Sequence, residues 1–539
     1  MKQHIIILGI VTALAGMLGS CKKSYLAESP YSSYSPSTLT DSLGFEASVN
    51  GLYYQTSLYY TYSTNQGWPS VWQVGTDVAF ATQPQGVEVP YYNYATLIST
   101  DVAADYEWTW AYQLINDANS IIANIENPAN TKTLSAATIA DIDGEARFFR
   151  GYAYEQLAIC FGGVPLVTQP LTAPRTDFVR ASLDSVNALI ASDLQFAAAN
   201  LPDFSGLPAN AAGSMYGRAN KYMAMQELAE CYIRMKEYSQ AEQQTQAIIN
   251  SGQFSLVTSR YGIHTSLPGD PFSDMFVYGN QRRSQGNTEA IWVLEQENPN
   301  SVAGGSSGSG QQRRNWGAAY YKETGLAICD SLGGRGVGRM RLSNWVLYGL
   351  YDAGDMRNSE NNIRRHYWYN DPTHPTLYGQ EVPYDNSDTI YIICPHTTKW
   401  YCFDPNDVFG YATIKDYPIM RLGETYLLQA EAQLGENNTA AAATSINALR
   451  TRANAPQVSS SQITMDFILD ERARELIGEE NRRMTLMRTG TLVTRATTLN
   501  STSVVYPMTG LTTKNLLLPI PQSEINLNKD AVLSQNPGY

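Results

Sequence analysis

Two aromatic clusters set in polar loops offer the clearest chemistry in this sequence. Trp68 and Trp72 lie in GWPSVWQVGTDVAF, a Gly, Ser, Thr and Gln setting, with Asp77 close behind. Trp316, Tyr320 and Tyr321 lie in QQRRNWGAAYY, directly after Arg313, Arg314 and Asn315. An aromatic ring presents a flat apolar face to the C–H face of a pyranose, and Arg, Asn and Asp take the hydroxyls. Trp68, Trp72, Asp77, Arg314, Asn315, Trp316, Tyr320 and Tyr321 are therefore the candidate ligand-binding residues. The competing reading is that Trp68 and Trp72 close the core of a scaffold. For any single one of the 36 tyrosines, helix packing is the better expectation.

Catalytic patterns are thin. The five histidines are His4, His264, His366, His374 and His396, and none forms an HExxH zinc site. Gly304-Gly305-Ser306-Ser307-Gly308 fits GxSxG in letters, but a nucleophile elbow needs a strand before it and a helix after it, and this stretch is a Ser/Gly loop. Gly333-Gly334-Arg335-Gly336-Val337-Gly338 lacks the GxGxxG spacing and setting of a dinucleotide loop. Carboxylate pairs are plentiful in any acidic chain, so counting does not exclude a glycosidase pair, and nothing singles one out. No catalytic residue is assigned, no cofactor is implied, and the sequence leaves any bound cation undetermined.

The elements that must position these loops are mostly helical. Phe45, Val49 and Leu52 share one helical face behind a capping Asp41-Ser42. Trp108, Tyr112, Ile115, Ala118, Ile122 and Ile125 form a stripe over Trp108–Ile125. Further helices fit Ile139–Phe161 and Leu183–Leu201. Gly217–Ile249 reads as a helix pair with tetratricopeptide-like spacing at Leu228, Ala229, Tyr232, Tyr238 and Ala241. Residues 418–455 read as a looser second pair, and Ile468–Arg488 as one further charged helix. Residues 57–100 and 257–415 are loop-rich, with short strands expected at Ala290–Glu295 and Thr389–Ile393. A long irregular insertion on a helical scaffold is where binding surfaces tend to lie.

The chain has 539 residues and a net charge of −13. That balance disfavours nucleic acid and anionic membrane surfaces as partners. Six cysteines, Cys21 among them, are widely spaced and form no disulfide framework, although Cys394 and Cys402 could pair in an oxidising compartment. The N-terminus opens with Met1-Lys2-Gln3-His4 and the apolar run Ile5–Met17, too short to span a bilayer, followed by Leu18-Gly19-Ser20-Cys21. This resembles a bacterial lipobox, which implies cleavage before Cys21 and lipidation of that cysteine. Residues 22–40, rich in Ser, Tyr and Pro, then form a tether.

Four further stretches, in order, resemble the SusD/RagB family of Bacteroidota outer-membrane lipoproteins. They are GEARFFRGYAYEQLAICFGGVPLV at Gly144–Val167, RLGETYLLQAEA with INALRTRA within Met420–Ala453, ILDERARELIGEENRRMTLMRTG at Ile468–Gly490, and the C-terminal LPIP, Glu524-Ile525 and QNPGY. Thr485 stands where the family more commonly has Asp, and residues 57–100 and 257–415 carry no strong family pattern. Glu471, Arg472, Glu475 and Arg482 suit structural ion pairs within and between helices, and the proline-rich tail suits a segment pinned on the body.

The resemblance implies a tetratricopeptide-like helical scaffold with a loop-rich insertion. The expected division is a signal peptide at 1–20, a lipid-anchored tether at 21–40 and an N-terminal helical part at 41–256. A ligand-binding insertion at 257–415 follows, and then a C-terminal helical part and tail at 416–539, packed with 41–256 as one domain. The implied function is non-enzymatic. A lipid-anchored surface protein of the outer membrane captures a glycan and hands it to a SusC-like TonB-dependent transporter. An oligopeptide-capturing protein, as in the RagB branch, and a glycoside hydrolase remain as alternatives.

Overall fold

The computed structural model describes residues 41–539 except 63, 211–212, 300–301, 303–309, 385–388 and 501–504. The expected signal peptide, Cys21, the tether and the GxSxG-like run lie outside the described residues. No described helix is long and apolar enough to cross a membrane.

The chain is mostly helical. Six long helices come first: α1 Ser42–Tyr60, α2 Val102–Ile125, α3 Ala136–Phe161, α4 Leu183–Asn200, α5 Lys221–Met235 and α6 Tyr238–Ile249. After the irregular region come α7 Leu422–Gly435, α8 Thr439–Arg452, α9 Met465–Leu476, α10 Arg482–Arg488 and α11 Leu492–Leu499. Each of α1 to α7 packs on its successor, including α6 on α7, and α9 packs on α7. The helical stack is therefore continuous in space where it is interrupted in sequence.

Starts and stops have local causes. Side chains of Asp41, Asp101, Ser135 and Ser182 accept hydrogen bonds from backbone N–H groups in the first turns of α1 to α4. The Asp101 cap starts α2 at Val102, ahead of the expected Trp108. Within α3, every residue from Ile142 to Phe161 except Arg147 is buried. This explains why the GEARFFRGYAYEQLAICF stretch shows little amphipathic period: it is a central helix covered on all sides. Its charges are paired inside the stack. Arg150 donates to Asp193 of α4 at 2.7 and 2.8 Å, and Arg218 Nε lies 3.1 and 3.2 Å from the Glu145 carboxylate oxygens.

The charged stretch Ile468–Arg488 is two helices, not one. It breaks at Gly478, whose φ of +79° favours glycine. The Trp400 indole N–H donates to the Gly478 carbonyl at 2.8 Å and fixes the break. The motif carboxylates are buried and paired mostly across elements. Glu471 meets Arg357, Arg450 and Arg474 at 2.8, 3.0 and 2.7 Å. Glu475 meets Arg357 at 2.9 Å and Arg421 at 2.5 Å, and also Arg452. Thr485 donates its hydroxyl to Glu480 at 2.9 Å, so the departure from Asp makes a hydrogen bond where a second carboxylate would repel.

Strands are few and short. β1 (Ala79–Ala81) pairs antiparallel with β3 (Met340–Leu342), and β2 (Ala290–Leu294) with β4 (Tyr417–Arg421), the latter with a register irregularity. The strand expected at Thr389–Ile393 does not form. Those residues make turns, with the Thr389 and Tyr391 carbonyls accepting from Arg341 Nε and the Ala319 N–H at 3.1 Å each. Cys394 and Cys402 form no disulfide with each other. The tail is pinned: Leu518 N–H donates to Cys160 at 2.6 Å, and Asn536 Nδ2 donates to Phe161 and Leu518 at 3.1 and 2.7 Å.

Candidate ligand-binding surface

The two aromatic loops meet, but through their backs. The Ser70 hydroxyl donates to Asn315 Oδ1 at 2.6 Å, across 245 residues of sequence, and Asn315 Nδ2 donates to the Gln66 carbonyl at 2.8 Å. This docking buries most of the candidates. Trp68 sits on the short helix Trp68–Val71 and donates its indole N–H to the Tyr59 carbonyl at 2.9 Å. Its ring is packed edge-on by Tyr59, Tyr62, Trp72 and Tyr106, with centroids 4.9–5.5 Å away. Trp68 and Trp72 line a partly open pocket of about 130 Å³ together with Tyr60, Tyr152, Trp400 and Tyr417. They belong to the core, and neither ring face is offered to solvent.

Asp77 is corrected in the same way. It is fully buried and accepts from Arg482 at 2.9 and 2.6 Å and from Arg495 at 2.8 Å. Burial pushes its carboxyl up, but the two guanidinium groups outweigh that and hold it below the ordinary value. Asn315, Trp316 and Tyr320 are also buried, with Tyr320 donating to the Gly334 carbonyl at 2.8 Å. These residues lie buried beneath the surface.

Tyr321 remains partly exposed at that surface with buried Arg314 beneath it, joined by three residues the sequence reading missed as candidates: Arg335, Phe409 and Tyr411. Phe409 and Tyr411 are 64% and 57% exposed. The Arg335 guanidinium carbon lies 5.7, 5.9 and 5.3 Å from the ring centroids of Tyr321, Phe409 and Tyr411, and that of Arg314 lies 4.4 Å from Tyr411. Arg335 also donates to the Phe409 carbonyl at 2.7 Å.

The surface is held from below. Buried Arg313 donates to the carbonyls of Cys402, Gly410 and Ala412 at 2.5, 2.9 and 3.2 Å, and so fixes the loop that carries Phe409 and Tyr411. The glycine-rich run Gly333–Gly338 presents Arg335. Gly333 and Gly334 both have φ of +77°, and a Cβ on Gly336 would lie 2.3 Å from the Ala318 carbonyl oxygen. The run packs on residues 314–319: Val337, Gly338 and Arg339 N–H donate to the carbonyls of Arg314, Gly317 and Asn315 at 3.1, 2.7 and 3.1 Å. One signal could have found Phe409 and Tyr411. FGY follows the polar, turn-forming stretch Asp404-Pro405-Asn406-Asp407, so its rings lie in a loop as the tryptophans of the first cluster do.

Chemically, the arrangement offers exposed ring faces beside guanidinium donors. That suits a ligand with both apolar C–H faces and hydrogen-bond acceptors. Among the described residues no group of three or more His, Cys, Asp or Glu could hold a metal ion.

Comparison with known proteins fits this architecture. A family profile described as "SusD family" matches residues 338–539, and one described as "Starch-binding associating with outer membrane" matches residues 24–233. A SusD-like protein of Formosa agariphila is 25% identical over 508 residues, covering 86% of each chain. The starch-binding protein SusD of Bacteroides thetaiotaomicron is 36% identical over 124 residues, 23% of this chain and 22% of that one. Among solved structures, a SusD homologue from Bacteroides thetaiotaomicron aligns with a TM-score of 0.71 at 18% identity, over 94% of this chain and 98% of that one. A laminarin-binding SusD-like protein aligns with a TM-score of 0.66 at 21% identity, over 93% of this chain and 100% of that one. The chain belongs to the SusD/RagB family, and its fold is SusD-like.

Proposed function

We propose that this protein captures a glycan on the surface formed by Tyr321, Arg335, Phe409 and Tyr411, with Arg314 behind, and delivers it to a SusC-like TonB-dependent transporter without breaking a bond. The observation that carries this reading is the exposed Phe409–Tyr411 pair, which flanks a guanidinium group instead of packing into the core. The starch-, laminarin- and glycan-binding descriptions of related proteins support the ligand class. The protein is tethered to the outer membrane through lipidated Cys21 and acts as a lid over its transporter. A ligand that touches both lid and barrel favours closure through its differential affinity for the two states.

The test is calorimetry of the purified protein against a glycan panel, with chromatography of the glycan afterwards. Saturable binding that is lost on Tyr411→Ala, with the glycan returned intact, is the expected result. Reproducible cleavage of the bound glycan, abolished by one carboxylate substitution, overturns the binding-only reading.

A further inference from the structure

Most buried cations in this fold face carboxylates. Arg357, Arg421, Arg450, Arg452, Arg472, Arg474, Arg482, Arg488 and Arg495 all make ion pairs of the kind described for Glu471, Glu475 and Asp77. The arginines under the candidate surface do not. Arg313, Arg314, Arg335 and Arg339 have no carboxylate within ion-pair distance among the described residues, in a chain where acidic residues outnumber basic ones by 50 to 37.

Their hydrogen bonds go to neutral groups. Arg314 donates to Gln311 Oε1 at 3.0 Å, Arg339 to Gln66 Oε1 at 2.6 Å, and Arg313 and Arg335 to backbone carbonyls. The Nε atoms of all four are buried and lack a hydrogen-bond partner among the described residues. Arg313, Arg314 and Arg339 are themselves more than nine-tenths buried, at 5%, 4% and 3% exposure. Buried like charges without counter-charges destabilise a fold. Burial, then Arg339 and Arg335, push the Arg314 guanidinium down to about 10. Glu88 is near enough to favour the charged form of Arg339, yet its carboxylate accepts from the backbone N–H groups of Gln85 and Gly86 at 2.8 and 3.1 Å. Asp407 acts on Arg313 only at longer range.

We infer that this surface selects an acidic glycan, one bearing uronate carboxylates or sulfate esters, whose anionic group is held by Arg335 in the field of Arg314 and Arg339 while its ring stacks on Tyr411 or Phe409. The ligand anion supplies the counter-charge that the fold withholds. Guanidinium groups match the fork geometry of carboxylate and sulfate. The remainder of an acidic protein repels polyanions, so attraction is confined to this patch. The inference rests on the glycan-capture reading and goes further by naming the class of glycan.

The experiment is calorimetry of the full-length mature protein with charged and neutral forms of the same backbones. The pairs are oligogalacturonate and oligoalginate with their carboxyl-reduced counterparts, and dextran sulfate with dextran. A glutamate-rich peptide is a further arm. At least one acidic glycan is expected to bind ten or more times tighter than its neutral form, with a preference that shrinks as salt rises. Carboxylate and sulfate arms separate the two sources of the anion. Arg335→Gln should bring the ratio toward one, and Arg335→Lys should keep a salt-sensitive preference, both with unchanged melting. Equal or tighter binding of the neutral members overturns the acidic-ligand inference and leaves glycan capture standing. Binding of the peptide alone overturns both, and binding of none of the three acidic glycans overturns the inference.

Discussion

Asp77 and Arg482, 405 residues apart in sequence, form a buried two-point ion pair, with Arg482 Nε and Nη2 donating to the carboxylate at 2.9 and 2.6 Å. The pair ties the loop after α1 to the start of α10. It shows why a polar residue beside two tryptophans is a poor guide to a ligand surface: its partner lies in the family motif near the other end of the chain.

Asp77→Ala should therefore destabilise the fold while leaving the affinity of folded protein for its glycan intact. Removing one partner of a buried pair costs about 3–5 kcal/mol, because Arg482 and Arg495 are left uncompensated. The pH dependence has a defined sign. Asp77 titrates below its ordinary 3.8 in the fold, so its contribution is present above that value and lost as the pH falls through the folded one. Denaturant midpoints at pH 7 and pH 3 should differ less in the variant than in the parent. A variant that melts normally and loses glycan binding would return Asp77 to the ligand site.

Glu107 gives the opposite sign. It lies on α2, fully buried, with neither carboxylate oxygen in a well-formed hydrogen bond among the described residues. Burial pushes its carboxyl up from 4.5 to about 8, and the nearby Tyr59 hydroxyl offsets this only in part. The folded state holds a proton that the unfolded chain releases. Its contribution is present below pH 4.5, falls by about 1.4 kcal/mol per pH unit above that, and is gone once the pH passes the folded value of about 8. In Glu107→Gln this term vanishes. Guanidinium unfolding at pH 5, 7 and 9 should show a shallower alkaline loss than the parent, and parallel curves would refute the assignment.

How much of this was legible in the sequence follows from range. Helices with local signals, such as α4 behind its Ser182 cap, could be read directly. The irregular region could be located, and the four motifs pointed to the family. Little of the proposed surface was legible. Tyr321 keeps partial exposure, but Arg314, Trp68, Trp72, Asp77, Asn315, Trp316 and Tyr320 are buried. Their burial is set by partners far away in sequence, Ser70 with Asn315 and Asp77 with Arg482, and no local pattern encodes it. Arg335 sits in a glycine run that resembles a failed nucleotide loop, and its use appears only once residues 402–412 fold beside it.

Trp316→Ala should behave as a core truncation. The ring is 1% exposed and lies under the surface, not on it. A buried aromatic removed to alanine costs about 3–5 kcal/mol. The expected result is a large drop in Tm. Unchanged melting with lost glycan binding would place the ring in the ligand site after all.

Cys21→Ala should leave the protein unlipidated. The lipobox-like Leu18-Gly19-Ser20-Cys21 motivates this. One acyl chain holds a protein only reversibly, whereas several hold it stably. In cells lacking the transporter partner, the variant should be lost from outer-membrane fractions, and its retention there would refute the anchor.

Tyr411→Ala tests the surface itself. Tyr411 is 57% exposed and lies over buried Arg314, with the guanidinium carbon 4.4 Å from its ring centroid. Little apolar area is lost from the core when an exposed ring is removed, so stability should change by no more than about 0.5 kcal/mol. Binding should respond on another scale. A central ring in an interface is worth about 2 kcal/mol or more, which is roughly a 30-fold loss in affinity. Calorimetry and melting on the same preparation therefore separate the two roles. Lost binding with unchanged melting supports the surface. Full binding in Tyr411→Ala and in Phe409→Ala would move the ligand elsewhere, because the remaining ring at this surface, Tyr321, is partly buried and packed beside Tyr320 with centroids 6.3 Å apart.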